Sequence, residues 1–391
     1  MKKIISLALM LVFVLLALVS CGGDELTPIP EHYPNDVDNK EATEEVDLYI
    51  IVGDGTADKA LDPIKKYINN KAVSELNVKL NVNYISQTEY QTTVKAAVED
   101  QSIIREYTVD EMQLDGSVVK VTKKAGAVVL VNGFDFIAQL AAIEYNFGVE
   151  EATGEEIIKP AIVNIAPYLL EREYSELNIT VPSALLAAAK TVDGKLLAFP
   201  NARTLGEYTY LVINEEIASK TLKFSPTELS SYKTYEETAA LRDAMVANSF
   251  DPDDYVMIKK GSYSDKAKLE AEGYICNIVA TPSVSASDAY ASAYAIVDSG
   301  VDVVNDRAMR VINALSKNAE IRNILQYGIE YTNYTVENGT VVRKEGNDSY
   351  VMNYMYTGNA FILMYSEEIG WTQEAMQNGI NQNKDVVLAQ A

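Results

Sequence analysis

Between Val46 and Asn132 the spacing of apolar residues switches repeatedly between two and 3.6, and that alternation limits the chain to a sheet covered by helices. Val46–Val52 (VDLYIIV) has the length and β-branched content of a buried strand, and Gly53-Asp54-Gly55 turns the chain. Ala60, Ile64, Tyr67, Ile68 and Val73 then give helical periodicity across Asp58–Leu76. Val78–Ile85 (VKLNVNYI) alternates strictly, as a half-buried strand does, and Thr88–Asp100 returns to a helix. Val118–Thr122 and Ala127–Asn132 are two further strands, the second broken at Gly133. Strands joined through right-handed helical crossovers make an open sheet. The Gly53-Asp54-Gly55 turn is not a dinucleotide fingerprint, because Asp58 stands where the third glycine belongs and its charge would face the pyrophosphate.

In the second half, Val304, Ala308, Val311, Ile312 and Leu315 share one helical face. Ser316-Lys317-Asn318 breaks the pattern, and Asn318 is placed to cap a second helix, Ala319–Gln326, that ends at Gly328. The chain holds 25 tyrosines against eight phenylalanines and one tryptophan. Tyrosine joins an apolar face to a hydroxyl, which suits a surface that grips polar ligands.

The chemistry open to the folded body is narrow. His32, the single histidine, lies in the Pro- and acid-rich EHYPND stretch near the N-terminus. With its only histidine there, the folded body can build no Ser-His-Asp or Cys-His nucleophile and no multi-histidine metal site. The 56 carboxylates keep a glycosidase-type acid pair formally open, but no spacing singles one out. No cofactor is implied. A net charge of −23 lacks the basic face that nucleic acid requires.

At the N-terminus, Lys2 and Lys3 precede an uncharged run, Ile4–Val19, that ends in Leu18-Val19-Ser20-Cys21. This resembles a bacterial lipoprotein signal: residues 1–20 are removed and the Cys21 thiol takes a lipid. The run is shorter than the roughly 20 residues that span a bilayer core. Residues 21–45 hold eight acids and three prolines and are expected to form a flexible tether. The expected location is the extracytoplasmic face of the cell membrane, lipid-anchored. With Cys21 lipidated, Cys276 is left without a disulfide partner, and its apolar setting (YICNIVA) reads as a buried strand.

Thr191–Lys220, TVDGKLLAFPNARTLGEYTYLVINEEIASK, resembles the inter-lobe segment of bacterial extracellular solute-binding proteins, the lipoprotein receptors of ABC importers. The residues that carry it are Asp193-Gly194-Lys195, Phe199-Pro200-Asn201 and Tyr208-Thr209-Tyr210-Leu211 with Asn214. A second block is Leu325–Glu330 with Tyr334-Thr335, followed by Tyr350–Asn353 and Tyr356-Thr357-Gly358-Asn359. The resemblance implies an α/β, two-lobe, periplasmic-binding-protein-like (type II) fold. Each lobe is then a mostly parallel sheet flanked by helices, with the ligand cleft between the lobes. It divides the chain into a first lobe of 46–200 with about 280–330, and a second of 201–279 with about 331–391. The implied partners are a small-molecule solute, most often carbohydrate in this family, and ABC permease subunits, with the receptor a monomer.

Ligands of open α/β sheets bind beyond the carboxyl ends of strands. That rule nominates Asp54, and Asn132 with Phe134. Asn201, Arg203, Glu207 and Tyr208 lie on the expected crossing between lobes, and Tyr331 where the chain should cross again. Asn and acid groups would hydrogen-bond, Phe134 and Tyr208 would stack, and Arg203 would donate in bidentate fashion. Arg203 and Glu207 also suit a surface ion pair, Asp54 a turn or cap, and Asn132-Gly133 a plain turn. Two other readings stay open: a membrane-tethered enzyme acting on glycans through a carboxylate pair, and a ligand-sensing receptor of the same fold. Family members continue beyond a Trp-containing helix like the one expected around Trp371. Val386–Ala389 is apolar, so a chain shorter than the family's length is expected.

Overall fold

The computed structural model describes residues 44–113, 116–150 and 153–389. Cys21, the expected signal and all but the last two residues of the expected tether lie outside them. Strand β1 (Glu44–Val52) begins two residues earlier than the sequence suggests, with Val46, Leu48 and Ile50 fully buried. Helix α1 (Asp58–Leu76) buries Ala60, Ile64 and Ile68, and Asn77 ends it in the left-handed region at φ 55°. Strand β2 (Val78–Ser86), helix α2 (Tyr90–Glu99) and strand β5 (Gly126–Val131) follow, and both β2 and β5 lie parallel to β1. Between α2 and β5 the chain makes a hairpin, β3 (Glu106–Met112) with β4 (Val118–Lys124). β3 has no sequence signature, because its exposed and half-buried residues alternate without an apolar face.

Helix α3 (Phe134–Ala141) leads into a second hairpin, β6 (Glu144–Val149) with β7 (Glu156–Pro160), and then to the short strand β8 (Phe199–Pro200). From Asn201 the chain leaves this sheet and builds another. Strand β9 (Tyr208–Asn214) is flanked by β10 (Val256–Gly261) and β11 (Tyr274–Ala280), joined by helix α4 (Tyr263–Ala271). Both flanking strands run antiparallel to β9. The expectation of a mostly parallel second sheet is therefore corrected. The β10–α4–β11 unit does have parallel outer strands, but β9 is inserted between them in the opposite direction. Cys276 is buried in β11, as its setting suggests.

The return path runs through β12 (Ser283–Val284), helix α5 (Ala286–Tyr290) and β13 (Ala293–Val297). The first sheet then reads β2-β1-β5-β13-β8, with β13 antiparallel to both neighbours. The chain re-enters at the carboxyl edge of β5, so its next strand can only run the other way. Helix α6 (Asp302–Lys317) packs on β5, β1 and β13, and α7 (Ala319–Tyr327) packs on α1. The Asn318 carboxamide accepts the Ile321 N–H at 3.0 Å, making the cap its sequence suggests, and Gly328 ends α7.

After the hairpin of β14 (Tyr334–Glu337) and β15 (Thr340–Arg343), residues 349–359 lie against the first sheet, not the second. Gly53 N donates to Val351 O at 2.9 Å, and Gly53 has no room for a Cβ, which would sit 2.7 Å from that oxygen. Only from Thr372, the N-cap of helix α8 (Gln373–Lys384), does the chain rejoin the second lobe, where α8 packs on α4. Strand β16 (Val387–Leu388) closes against β12. The expected assignment of all of 331–391 to the second lobe is corrected accordingly. So is the helical face expected of Trp371 and Ala375. Trp371 precedes the cap of α8 and is buried against Tyr354 and Phe361, with ring centroids at 5.5 and 5.7 Å.

Candidate functional site at the lobe crossing

The carboxyl edge of the first sheet, where the chain crosses between lobes, gathers several residues nominated from sequence. Asn201 N donates to Ser292 O at 2.9 Å, and its carboxamide donates to Ser292 Oγ at 2.8 Å and to Met355 O at 3.3 Å. Arg203 Nη1 donates to Asn201 O at 3.3 Å and Nη2 donates to Asp288 O. Phe134, at the start of α3, is 45% exposed and lies 6.1 Å from the Tyr290 ring at the end of α5. Asn201, Arg203 and Phe134 thus converge on residues 288–292. Asn132 is half-buried and accepts from Gln91 Nε2 at 2.9 Å, and Asp54 is exposed in the turn after β1. The Gln91 bond uses only the Asn132 carbonyl oxygen.

Other expectations change. Tyr208 is 1% exposed: its ring stacks on Tyr210 at 5.5 Å, and its hydroxyl donates to Asp385 Oδ2 at 2.6 Å. Burial first, then that carboxylate, push its phenol well above the ordinary range. Its role is packing at the crossing, because a ring held on both sides by the protein has no face for a solute. Asn201 is likewise closed in by its partners. Glu207 is exposed, and Arg203 bonds carbonyl oxygens rather than pairing with it. Tyr331 sits on the surface at φ 64°, its N–H on Tyr334 O at 2.7 Å and its carbonyl accepting from Lys344 Nζ. No crossing occurs there, because 331–349 stays with the first lobe.

The segment that sequence reasoning left out of the site is Ser349–Tyr356, which runs along this edge with its carbonyl groups turned inward. Val351 O accepts from Gly53 N and Thr56 Oγ1, and Met352 O accepts from Gln326 Nε2. Tyr354 O accepts from Arg322 Nη2 at 2.7 Å, Met355 O from Ser292 Oγ, and Tyr356 O from the Tyr294 hydroxyl. Pinned by these six donors, the loop leaves Asn353 exposed and Tyr354, Met355 and Tyr356 half-exposed. Its signal was present in the Tyr350–Asn353 and Tyr356–Asn359 blocks that carried the resemblance. The available chemistry is hydrogen bonding by amides and a carboxylate, stacking by aromatic rings, and one guanidinium.

A cavity of about 470 Å³ opens elsewhere, lined by Ile162, Asn164, Tyr168, Lys195, Asp298 and Asn305. It lies beyond Val297, which pairs with Ala127 at the amino end of β5. Open sheets bind ligands at the other end, so the crossing edge is the stronger candidate. Among the described residues, no group of three or more His, Cys, Asp or Glu side chains is placed to hold a metal ion.

Two separate sheets, joined where the chain passes from one to the other at the carboxyl edge, give the two-lobe α/β fold of ABC solute-binding proteins. The N-glycan transport solute-binding protein NgtS from Streptococcus pneumoniae is similar at 13% identity and a TM-score of 0.50, over 88% of this chain and 84% of that one. An HMO-binding, ABC-transporter-associated solute-binding protein from Bifidobacterium longum infantis aligns at 11% identity and a TM-score of 0.39, over 88% and 82% of the two chains. The ABC substrate-binding protein Lmo0181 from Listeria monocytogenes, in complex with cycloalternan, aligns at 11% identity and a TM-score of 0.33, over 89% of each chain. At 13% identity the likeness to the pneumococcal protein is one of fold. No protein-family model matches the sequence, and no curated protein does.

Proposed function

We propose that this protein is an extracytoplasmic solute receptor of an ABC importer, anchored through lipidated Cys21, that captures a small polar solute between its lobes. The observation that carries the reading is the crossing itself. Three segments, 201–207, 281–285 and 379–388, meet there and are laced by side-chain amides: Gln382 Nε2 donates to Leu205 O and Gly206 O, and Asn383 Nδ2 to Arg203 O. A two-sheet body with one bonded waist supports closure of the lobes on a ligand. The aromatic and amide groups at the edge support a sugar or oligosaccharide, as does the N-glycan transport named for the pneumococcal protein. Delivery to permease subunits, a monomeric state and binding without turnover belong to the same proposal.

The test is a thermal-shift screen of mono- and oligosaccharides, followed by small-angle scattering with each hit. A smaller radius of gyration and recovery of the sugar unaltered support the reading. Chemical conversion at enzymatic rates overturns it in favour of a glycan-active enzyme. Anchoring is tested separately: Cys21→Ala should abolish labelling by a radioactive fatty acid, and equal label on both forms refutes it.

A further inference from the structure

We infer that the solute bound at the crossing carries an anionic group, of the carboxylate class found on acidic sugars, and that Arg203 is its anchor. This rests on the reading of the crossing as a solute site. Arg203 is 7% exposed, and its described partners are two carbonyl oxygens, Asn201 O and Asp288 O. A guanidinium offers five N–H donors in a planar fork, so two carbonyls leave it incompletely used. No described carboxylate comes within 4.0 Å of it. The acid nearest along the return path, Asp288, is committed to its own helix: its Oδ2 accepts from Ser285 N at 2.8 Å and Ser285 Oγ at 2.7 Å.

Arg322 supplies the contrast. It too lacks a carboxylate, but it is 0% exposed and is sealed beneath the 349–359 loop by Asn359 O at 3.2 Å, Gln326 Oε1 at 3.4 Å and Tyr354 O. Arg322 is enclosed as a structural cation, whereas Arg203, at the waist, retains 7% exposure. Neither buried guanidinium forms an ion pair within 4.0 Å, and the Asp288 carboxylate acts on Arg203 only at longer range. Burial disfavours the charged form of Arg203 and lowers its proton affinity. A buried charge of this kind is stabilised by a well-placed counter-ion. A carboxylate matches the planar fork in shape as well as charge. A neutral sugar supplies neither.

The experiment is calorimetric titration of the protein with glucuronate, galacturonate and N-acetylneuraminate, each beside its neutral counterpart glucose, galactose or N-acetylmannosamine. Malate and glutarate serve as non-sugar anions. At least one acid should bind about tenfold or more tighter than its neutral counterpart, with the difference shrinking as salt rises. Arg203→Gln should erase the preference. Arg203→Lys, which keeps the charge and loses the fork, should keep the preference at lower affinity, and it decides the matter if the glutamine variant does not fold. A variant that loses thermal stability but retains the acid-to-neutral ratio marks Arg203 as a backbone clamp and overturns the inference. Neutral sugars binding as tightly as acids overturn it while leaving the carbohydrate reading intact. Malate or glutarate binding where no sugar does upholds the anionic ligand and ends the carbohydrate reading. Silence from every anion in the panel overturns the inference.

Discussion

The hydroxyl of Tyr208 donates to Asp385 Oδ2 at 2.6 Å, joining the first strand of the second lobe to the segment just beyond the last helix. One hydrogen bond thus ties two pieces of chain that are 177 residues apart in sequence, at the waist where the lobes meet. Tyr208→Phe removes only that bond, and with Asp385 at the surface the cost should be about 1 kcal/mol in urea denaturation. Tyr208→Ala also removes the stack on Tyr210 and should cost about 3–5 kcal/mol. Weakened ligand binding with unchanged stability in the alanine variant would return Tyr208 to the solute site.

Gln382 does more at the same waist. It is 1% exposed and fully bonded, donating to Leu205 O at 2.9 Å and Gly206 O at 2.6 Å while accepting from Tyr263 N at 2.8 Å. Gln382→Leu keeps the volume roughly and unpairs one buried and two part-buried backbone groups. The expected loss is about 1–3 kcal/mol, the cost of the buried Leu205 carbonyl, since water can reach the other two. Amide exchange at Tyr263 should quicken at the same time. An exchange rate equal to wild type would show that the crossing is held by other bonds.

Asn318 offers a second test, its Oδ1 capping α7 while its Nδ2 donates to Glu75 Oε2 on α1. Its carboxamide caps α7, and Asn318→Ala should cost about 1 kcal/mol by thermal or urea denaturation. Stability within error of wild type would mean that water replaces the cap without loss.

That cap also marks how far the sequence could be read. Local devices were legible: the β1–α1–β2–α2 alternation, the α6–α7 break at Asn318 and the burial of Cys276 all follow from nearest-neighbour periodicity and capping chemistry. Strand direction in the second sheet was not, because β9 lies between β10 and β11 and only the three-dimensional order reveals it. Of the site, Arg203, Asn201 and Phe134 were brought together as nominated. Tyr208 was not, because a sequence gives a tyrosine's position along the chain but not which of its faces is already packed; Tyr331 was not, because the chain does not cross between lobes there and the residue stays on the surface. The 349–359 loop was missed as a site element because its place depends on carbonyl groups, which every residue has.

Cys276 is 5% exposed, and burial raises its thiol to about 11. At pH 8 it should therefore be almost wholly protonated as well as shielded. Reaction with a disulfide reagent should be slow in native protein and immediate in 6 M guanidinium. A burst of reaction in the native state would place the thiol at an open edge of β11.

The last prediction concerns acid. Asp265 closes the capping box of α4: its Oδ2 accepts from Ser262 N at 2.7 Å and Ser262 Oγ at 2.8 Å. The Ser262 backbone bond is the main cause that holds this carboxyl below its ordinary value. A depressed folded-state pKa means that the stabilisation is fully present above the unfolded value, about 3.9, and is lost as pH falls through the folded value. The side chain is 42% exposed, so solvent screens the effect and it should be modest. Asp265→Asn should therefore be less stable than wild type at pH 7, and the gap should narrow as pH falls below about 3.9. Subtracting the two proteins at each pH cancels the acid sensitivity of the other carboxylates. Urea midpoints across that range provide the measurement, with the Ser262 amide chemical shift as a local reporter. A gap that stays constant with pH would mean that the carboxylate's charge contributes nothing to the cap.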